Sequence, residues 1–162
     1  MRQKKICLLG AFSVGKTSLI QRYVSSIFDE KYLTTVGVKI DKKNLIVGEQ
    51  EVTLMIWDLA GEDDYNTLKT SHLRGAAGYV IVVDVTRPKT FEVALAVHEK
   101  AKEVLGDVPV IVALNKIDLE DQWAVSNEDI AALEENFTVL RTSAKTGQKV
   151  ESIFNQLATA ML

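Results

Sequence analysis

The stretch GAFSVGKTS, which begins at Gly10, constrains the fold of this chain more than any other feature of its sequence. It has the spacing Gly-x-x-x-x-Gly-Lys-Thr, and it lies between an apolar run, KKICLLG, and a segment of helical propensity, KTSLIQRYV. Glycines at such a junction let successive backbone N–H groups turn inward, where they form a nest for an anion at a helix N-terminus. We therefore predict a phosphate-binding loop, in which Lys16 contacts terminal phosphates and Thr17 ligates Mg²⁺. The alternative is an ordinary strand–turn–helix junction.

Strand-like and helix-like segments alternate along the rest of the chain. An antiparallel hairpin is predicted by two strand-like runs with a short turn between them, VKIDKKNLIV and EVTLMIWD. Central strands covered on both faces are indicated by two continuous apolar runs, GYVIVVDV and VPVIVALN. A long amphipathic helix is predicted from Lys89 to Leu105, and a capping box of Ser126 and Asp129 opens another. A last strand, FTVLRTS, precedes a terminal helix with one apolar stripe. The alternation predicts an α/β fold with a mostly parallel sheet and a ligand at the carboxyl ends of its strands.

Length and composition narrow the class of protein. The 162 residues contain no repeat or linker, so we expect one domain over residues 1–162. A net charge of −3 argues against a nucleic-acid binder held by a basic field. The single cysteine, Cys7, allows no disulfide within the chain and fits a reducing compartment. Because no apolar run is long enough to span a membrane and neither end carries a signal or lipidation site, we expect a soluble, cytoplasmic protein. Membrane association would then need a lipidated tail absent from this sequence.

Two further segments carry candidate metal and phosphate ligands. Asp58 closes the strand LMIWD, and an aspartate there can hold Mg²⁺, usually through water. Gly61, three residues on, can offer a backbone N–H to a terminal phosphate. Thr35 lies in a long polar segment that could fold onto a metal–phosphate group and release when that group leaves. Each feature alone is unremarkable, but metal coordination is favoured once the phosphate loop is considered with them.

Two motifs near the end of the chain are suited to reading a nucleobase. In NKID, Asn115 to Asp118, the carboxylate of Asp118 can accept hydrogen bonds from guanine N1–H and N2–H₂, a donor pair that adenine lacks. The stem of Lys116 can lie along the base plane, and Asn115 can tie neighbouring loops together. TSAK ends the next strand, where the Ala144 N–H could meet guanine O6. Each motif alone could be a helix-capping turn, but four motifs in order, each after its own strand, favour guanine nucleotide over an ATPase or a nucleotide kinase.

On these motifs the chain resembles the Ras superfamily of small GTPases over essentially its full length. YLTTVGVKI, IWDLAGED and TSHLRGAAG are most similar to the Rab branch. The resemblance implies a three-layer α/β/α P-loop domain with a six-stranded sheet, one strand antiparallel, and about five helices. It also implies a signalling or trafficking switch that binds GTP or GDP with Mg²⁺ and slowly hydrolyses GTP.

The resemblance assigns roles residue by residue. Phe28 would stack edge-on to guanine, and Tyr32 would lie over the phosphates. The nucleotide site would comprise Gly10, Ser13, Val14, Gly15, Lys16, Thr17, Ser18, Phe28, Tyr32, Thr35, Gly61, Asn115, Lys116, Asp118, Ser143, Ala144 and Lys145. The metal ligands would be Thr17, Thr35 and Asp58, and the candidate catalytic residues are Glu62, Lys16 and Gly61.

The chain departs from the family pattern at the residue that should orient the attacking water. Glu62 stands where the family has glutamine, and a carboxylate can accept from water but cannot donate as an amide does. We expect either impaired hydrolysis or a carboxylate that works as a base in another geometry. The alternative function is a hydrolysis-impaired GTP-binding interaction module held in one state. No arginine lies between Phe28 and Thr35 to act in cis, and Phe12 should spare GTP binding but crowd an arginine entering from a partner.

The expected partners are effector, exchange-factor and activating proteins that contact the switch regions. In the Rab branch three aromatic residues form an exposed apolar patch, and the matching positions here are Ile40, Trp57 and His72. Simple sheet packing is an equal alternative for Trp57. We predict that His72 and His98 lie on solvated helix faces without a catalytic role, and that the chain binds no nucleic acid and carries no membrane anchor of its own.

Overall fold

The structure, a computed structural model, describes residues 2–11, 13–25, 38–59 and 69–162. Within these residues six strands form one sheet, and five α-helices and one short 3-10 helix, Glu120–Gln122, accompany it. The strands are β1 (Arg2–Gly10), β2 (Val38–Val47), β3 (Gln50–Leu59), β4 (Ala76–Asp84), β5 (Val110–Asn115) and β6 (Thr138–Arg141). The helices are α1 (Lys16–Ser25), α2 (Thr70–Leu73), α3 (Lys89–Leu105), α4 (Asn127–Glu134) and α5 (Val150–Ala160).

The sheet has the order β2-β3-β1-β4-β5-β6, and β2 is its one antiparallel strand. Parallel neighbours need a crossover connection, which helices supply between most of these strands. Helix α1 packs against α5, and α2 packs against α3. The predicted three-layer α/β fold, with a mostly parallel sheet of six strands, is confirmed.

The core lies on both faces of the central strands. Consecutive residues of β1 from Ile6 to Leu9 are buried, as are the last seven residues of β4, from Gly78 to Asp84. Since successive side chains of a strand point to opposite faces, continuous burial requires cover on both sides. On one side Phe154 of α5 stacks on Tyr23 of α1, with 4.1 Å between the ring centroids. The loops at the ends of these strands thus extend from a packed core.

Local sequence signals predict several boundaries correctly. Helix α3 ends at Leu105 because Gly106 adopts a φ of 72°, which interrupts the helix. Helix α4 begins with the predicted capping box, in which Ser126 and Asp129 bond each other's backbone N–H groups. The strand β6 is shorter than FTVLRTS suggests, since it ends at Arg141. No helix in the described part of the chain is long and apolar enough to cross a membrane.

The prediction that His98 lies on a solvated helix face is wrong. Its Nδ1 lies 2.8 Å from the hydroxyl of Tyr79, and its ring meets Phe137 edge-on, with 4.8 Å between centroids. Burial, with a contribution from the charge of Lys102, lowers the pKa of His98. The imidazole therefore packs between α3 and the sheet. His72 is half-buried rather than fully solvated.

Candidate functional site

The candidate site lies at the carboxyl edge of the sheet. Gly10, Asp84 and Asn115 are the last residues of β1, β4 and β5, and Asp58 is the next-to-last residue of β3. The register places Asp84 beside Asn115, so the polar residues of adjacent strands meet. Parallel strands bring their ends to one edge, which explains why motifs distant in sequence converge here.

The phosphate loop has the backbone geometry that its glycines allow. Gly10 has a φ of 148° and Gly15 a φ of 105°, conformations that other L-residues rarely adopt. A Cβ on Gly10 would lie 2.5 Å from the Val82 carbonyl oxygen, so the loop also approaches β4 too closely for a side chain. Lys16 begins α1, is 6% exposed, and donates to the carbonyls of Gly10 and Ala11, each at 3.3 Å. Its ammonium is therefore held against the loop.

Thr17, the residue after Lys16, and Asp58 bring two oxygen ligands together. The Thr17 hydroxyl donates to Asp58 Oδ2 at 2.5 Å, and Asp58 is 1% exposed. A hydroxyl and a carboxylate are hard ligands that suit Mg²⁺, so the residues present fit this ion. Within the described ranges no group of three or more His, Cys, Asp or Glu residues could hold a metal. Mg²⁺ characteristically completes its shell with phosphate oxygens and water, which fits so small a donor set. We call Lys16, Thr17 and Asp58 the phosphate corner.

Asn115 joins three loops of the site. Its amide donates to the Val14 carbonyl at 2.9 Å, and its side-chain oxygen accepts from the Thr142 hydroxyl at 3.2 Å. Asn115 is 1% exposed, so these bonds are shielded from water. A Cβ on Gly15 would lie 2.2 Å from Asn115 Nδ2. The glycine thus allows the phosphate loop to reach the asparagine.

Lys116 makes a second connection between the same loops. It adopts a φ of 68°, in the left-handed region that is unusual for a residue with a side chain. Its ammonium donates to the Ser13 carbonyl at 3.0 Å and lies 2.9 Å from Asp84 Oδ2. The side chain therefore runs from the NKID loop to the phosphate loop.

Asp118 is held by the TSAK segment. The Ser143 hydroxyl donates to Asp118 Oδ1 at 2.7 Å and accepts from the Thr146 N–H at 3.1 Å. Ser143 and Ala144 are buried, whereas Lys145 is exposed. These bonds orient the carboxylate from the side of β6. We call Asn115, Lys116, Asp118 and Ser143 the base corner.

Two residues that the sequence analysis missed also belong to this edge. Asp84 accepts hydrogen bonds around both carboxylate oxygens, and Arg22 of α1 donates to the carbonyls of Lys145 at 3.5 Å and Thr146 at 3.3 Å. A sequence signal exists for Asp84, because it is the acidic residue that interrupts the apolar run GYVIVVDV. Arg22 carries no such signal, since a basic residue near the end of a helix is common.

Several predicted site residues lie outside the described residues. These are Phe12, Phe28, Tyr32, Thr35, Gly61 and Glu62. The predictions for these residues therefore remain predictions from sequence.

Comparison with known proteins agrees with the geometry. The family model described as Ras family matches residues 5–162. The chain belongs to the Ras family. It is 35% identical to the Ras-related protein Rab-3C of Mus musculus, over 94% of this chain and 69% of that protein. It is 39% identical to the Ras-related protein RABC2a of Arabidopsis thaliana, over 98% of this chain and 77% of the relative.

A third relative extends the same likeness. The Ras-related protein RabJ of Dictyostelium discoideum is 32% identical, over 99% of this chain and 64% of the relative. The predicted recognition as a Rab-like member of the Ras superfamily is confirmed. As such, the chain is a small GTPase, a guanine-nucleotide-binding switch of the trafficking or signalling type that works with regulator and effector proteins.

Two members of the predicted Rab-type patch are neighbours in this Ras-family chain. Ile40 and Trp57 are paired across β2 and β3, and Ile40 is 46% exposed. The Lys5 ammonium lies 3.6 Å from the centroid of the half-buried Trp57 ring. Next to Trp57 in the register, Cys7 donates from its thiol to the His72 carbonyl at 3.5 Å. Ile40 and Trp57 are thus adjacent on the sheet, a lysine packs on one side of Trp57, and the backbone of His72 contacts the strand next to Trp57.

Proposed function

We propose that this Ras-family chain is a single G domain over residues 1–162 that binds GTP and GDP with Mg²⁺ and hydrolyses GTP slowly. One observation carries the proposal: side chains of the base corner are bonded directly to the phosphate loop. Asn115 reaches Val14, and Lys116 reaches Ser13. A ligand spanning both loops must present an anionic group and a planar base at a set distance, as a nucleotide does.

Guanine specificity rests on Asp118. Its carboxylate accepts from Ser143 through Oδ1, which leaves further lone pairs for the N1–H and N2–H₂ donors of guanine. Adenine presents no such donor pair, and the half-buried carboxylate of Asp118 facing it would lose hydrogen bonds to water without replacement. The buried Ala144 lies in the loop whose N–H would meet guanine O6, with Ser143 and Lys145 on either side.

The phosphate corner supplies charge and metal ligands. Lys16 carries a positive charge on the face of the loop that binds phosphates, together with N–H groups from residues 13 to 18. Thr17 and Asp58 would hold Mg²⁺, with Thr35 as the further ligand that the family resemblance assigns. When bound, Mg²⁺ neutralises charge on the terminal phosphates. The chain's own residues meanwhile hold those phosphates in place.

Slow hydrolysis follows from the residues assigned to catalysis. Lys16 and the Gly61 N–H would stabilise charge on the γ-phosphate, but Glu62 cannot donate a hydrogen bond as glutamine does. An arginine supplied by a partner is worth about 10³–10⁵ in rate, and no arginine lies between Phe28 and Thr35. The second candidate, an interaction module that holds GTP permanently, is favoured by Glu62 and Phe12.

The experiment that tests both candidates is nucleotide extraction followed by timed turnover. The purified protein should release GDP or GTP on denaturation, bind GTP in preference to ATP, and lose affinity when Mg²⁺ is chelated. Single-turnover hydrolysis of loaded GTP should be slow and should disappear in Lys16→Ala, whereas Lys42→Ala, an exposed lysine of β2, should match the wild type. Absence of guanine-nucleotide affinity would refute the switch, and GTP that stays intact would establish the fixed module.

We further propose that Ile40, Trp57 and His72 form the surface that partners read. The chain has two tryptophans, so Trp123→Phe leaves Trp57 as the single reporter. We expect its fluorescence to differ between the GDP state and a state loaded with a non-hydrolysable GTP analogue, because a partner surface must change between states. Identical spectra in the two states would place the state-dependent surface elsewhere.

A further inference from the structure

Asp84 accepts four hydrogen bonds at this edge of the sheet, and it is 1% exposed. Its Oδ1 accepts from the backbone N–H of Thr86 at 2.9 Å and from the hydroxyl of the same residue at 2.6 Å. Its Oδ2 accepts from Arg87 Nε at 3.0 Å and lies 2.9 Å from Lys116 Nζ. Oδ1 therefore bonds to the turn after β4, and Oδ2 bonds to the two cations.

The ionised form of Asp84 is the form that this geometry favours. Burial alone would raise the pKa of Asp84, but the hydrogen bonds from Thr86 and Lys116 outweigh burial and hold the pKa below its usual value. A buried carboxylate with four donors, two of them cationic, is satisfied, and its removal would leave the charges of Arg87 and Lys116 uncompensated.

Lys116 is the member of this cluster that reaches the nucleotide site. Its side chain is 34% exposed, and its ammonium is shared between Asp84 Oδ2 and the Ser13 carbonyl. A lysine stem has several rotatable bonds and loses rotamer entropy when it is ordered. A neutral carbonyl alone would hold it weakly, whereas a buried carboxylate adds a charge-assisted bond about twice as strong.

We propose that Asp84 is a positioning residue for the guanine nucleotide, which holds Lys116 across the base plane and against the phosphate loop and thereby slows nucleotide release. The inference rests on the proposed binding of guanine nucleotide. Asp84 itself lies behind Lys116 and needs no contact with the ligand. The sheet supplies the anchor, because β4 and β5 are paired and Asp84 lies beside Asn115 in the register.

A double-mutant cycle separates positioning from a general structural role. Release of a fluorescent GDP analogue, chased with excess GDP at constant Mg²⁺, is measured for the wild type, Asp84→Ala, Lys116→Ala and the double variant. Losing a charge-assisted bond should speed release about 10-fold to 100-fold in Asp84→Ala. In the Lys116→Ala background the same change should add less than about 3-fold, because the group through which Asp84 acts is gone.

Further variants separate the roles of the two carboxylate oxygens of Asp84. Thr86→Val removes a hydroxyl from Oδ1 but keeps the Lys116 pair, so its release rate should change less than about 3-fold. Arg87→Ala should behave similarly, since Lys116 keeps its carboxylate partner. Asp107→Ala, at an exposed aspartate paired with Lys102 away from the site, is the control for removing an acid. If Asp84→Ala does not fold by circular dichroism, Asp84→Asn replaces it in the same cycle.

Each outcome of these experiments either supports or overturns the inference. Non-additive release rates support the positioning role. The inference is overturned, and the proposed function is not, if the Asp84 and Lys116 substitutions have additive effects. The same holds if Thr86→Val and Asp84→Ala have equal effects, since Asp84 would then only support the turn. A folded wild type with no affinity for GDP would overturn the proposed function and this inference together.

Discussion

The two corners of the site hold their side chains in different ways. In the base corner, side chains connect separate loops: Asn115 and Lys116 bond to the phosphate loop, and Ser143 bonds to Asp118. In the phosphate corner, Lys16 bonds back onto carbonyls of its own loop, and Thr17 bonds to Asp58. The base corner is therefore shaped by contacts between protein groups, which is preorganisation for one ligand shape.

The phosphate corner depends instead on charge. Lys16 and Asp58 are both buried there, and electrostatic interactions are stronger in buried surroundings than in water. Changes there should alter affinity for any nucleoside triphosphate. Changes in the base corner should alter which nucleotide binds and how fast it leaves. The following variants test this division, from the largest expected effect to the smallest.

Lys16→Ala should cost the most, because it removes a buried positive charge from the phosphate corner. We expect affinity for GDP and GTP to fall about 100-fold to 1,000-fold, as expected for losing more than one charge-assisted bond. Titration calorimetry with GDP in Mg²⁺ measures this. The fold-loss in affinity, variant against wild type, should be the same for inosine diphosphate as for GDP. A loss for only one of the two nucleotides would show that Lys16 also reads the base.

Asp118→Asn should change specificity rather than general affinity. An amide can donate where the carboxylate accepted, so guanine should lose about 100-fold in affinity while xanthine nucleotides, which present a carbonyl at that edge, gain. Competition with GDP and xanthosine diphosphate against a labelled nucleotide measures the switch. Equal losses for both nucleotides would show that Asp118 does not read the base.

Gly15→Ala should break the contact between the corners. Gly15 has a φ of 105°, and a Cβ added there would lie 2.2 Å from Asn115 Nδ2. We therefore expect the substitution to strain the loop and displace the asparagine. The free energy of unfolding should fall by about 2 kcal/mol, measured in urea, with faster GDP release. The matched control is Gly48→Ala, where φ is 62° but no atom lies within 4 Å of the added carbon. If both variants lose equal stability, backbone conformation and not the contact with Asn115 explains the effect.

His98 offers the smallest and most remote test. Because burial lowers the pKa of His98, the folded protein favours the neutral imidazole. The contribution of His98 to stability is therefore present above the pKa of histidine in the unfolded chain, about 6.5, and is lost as the pH falls below that pKa. The partly exposed ring limits the loss to less than about 1 kcal/mol. Thermal melts of the wild type and His98→Gln between pH 8 and pH 5 should diverge above pH 6.5 and converge below. GDP release measured alongside should respond equally in both proteins, since Tyr79 pairs with the first residue of β5 and the site lies at the other end of that strand.

Most of the fold was predictable because its signals are local. The continuous burial of β4 and β5 follows from apolar runs, and the end of α3 follows from Gly106. The position of His98 was not predictable, since a histidine on an amphipathic helix has no local sign of a tyrosine partner 19 residues earlier. The length of β6 was not predictable either, because Thr142 and Ser143 suit a strand by composition but bond to Asn115 and Asp118 instead.

The sequence by itself determined which groups are available to bind a guanine nucleotide, because each motif sits within a few residues of its own strand and carries its chemistry in the side chains. The tertiary structure decided how those groups are held. Lys116 meets Ser13 across 103 residues of chain, and Arg22 meets Lys145 across 123. Such contacts depend on the order of strands in the sheet and on the angles of its loops. For that reason Asp84, an interruption in an apolar run when read along the chain, becomes the anchor of Lys116 only in the folded protein.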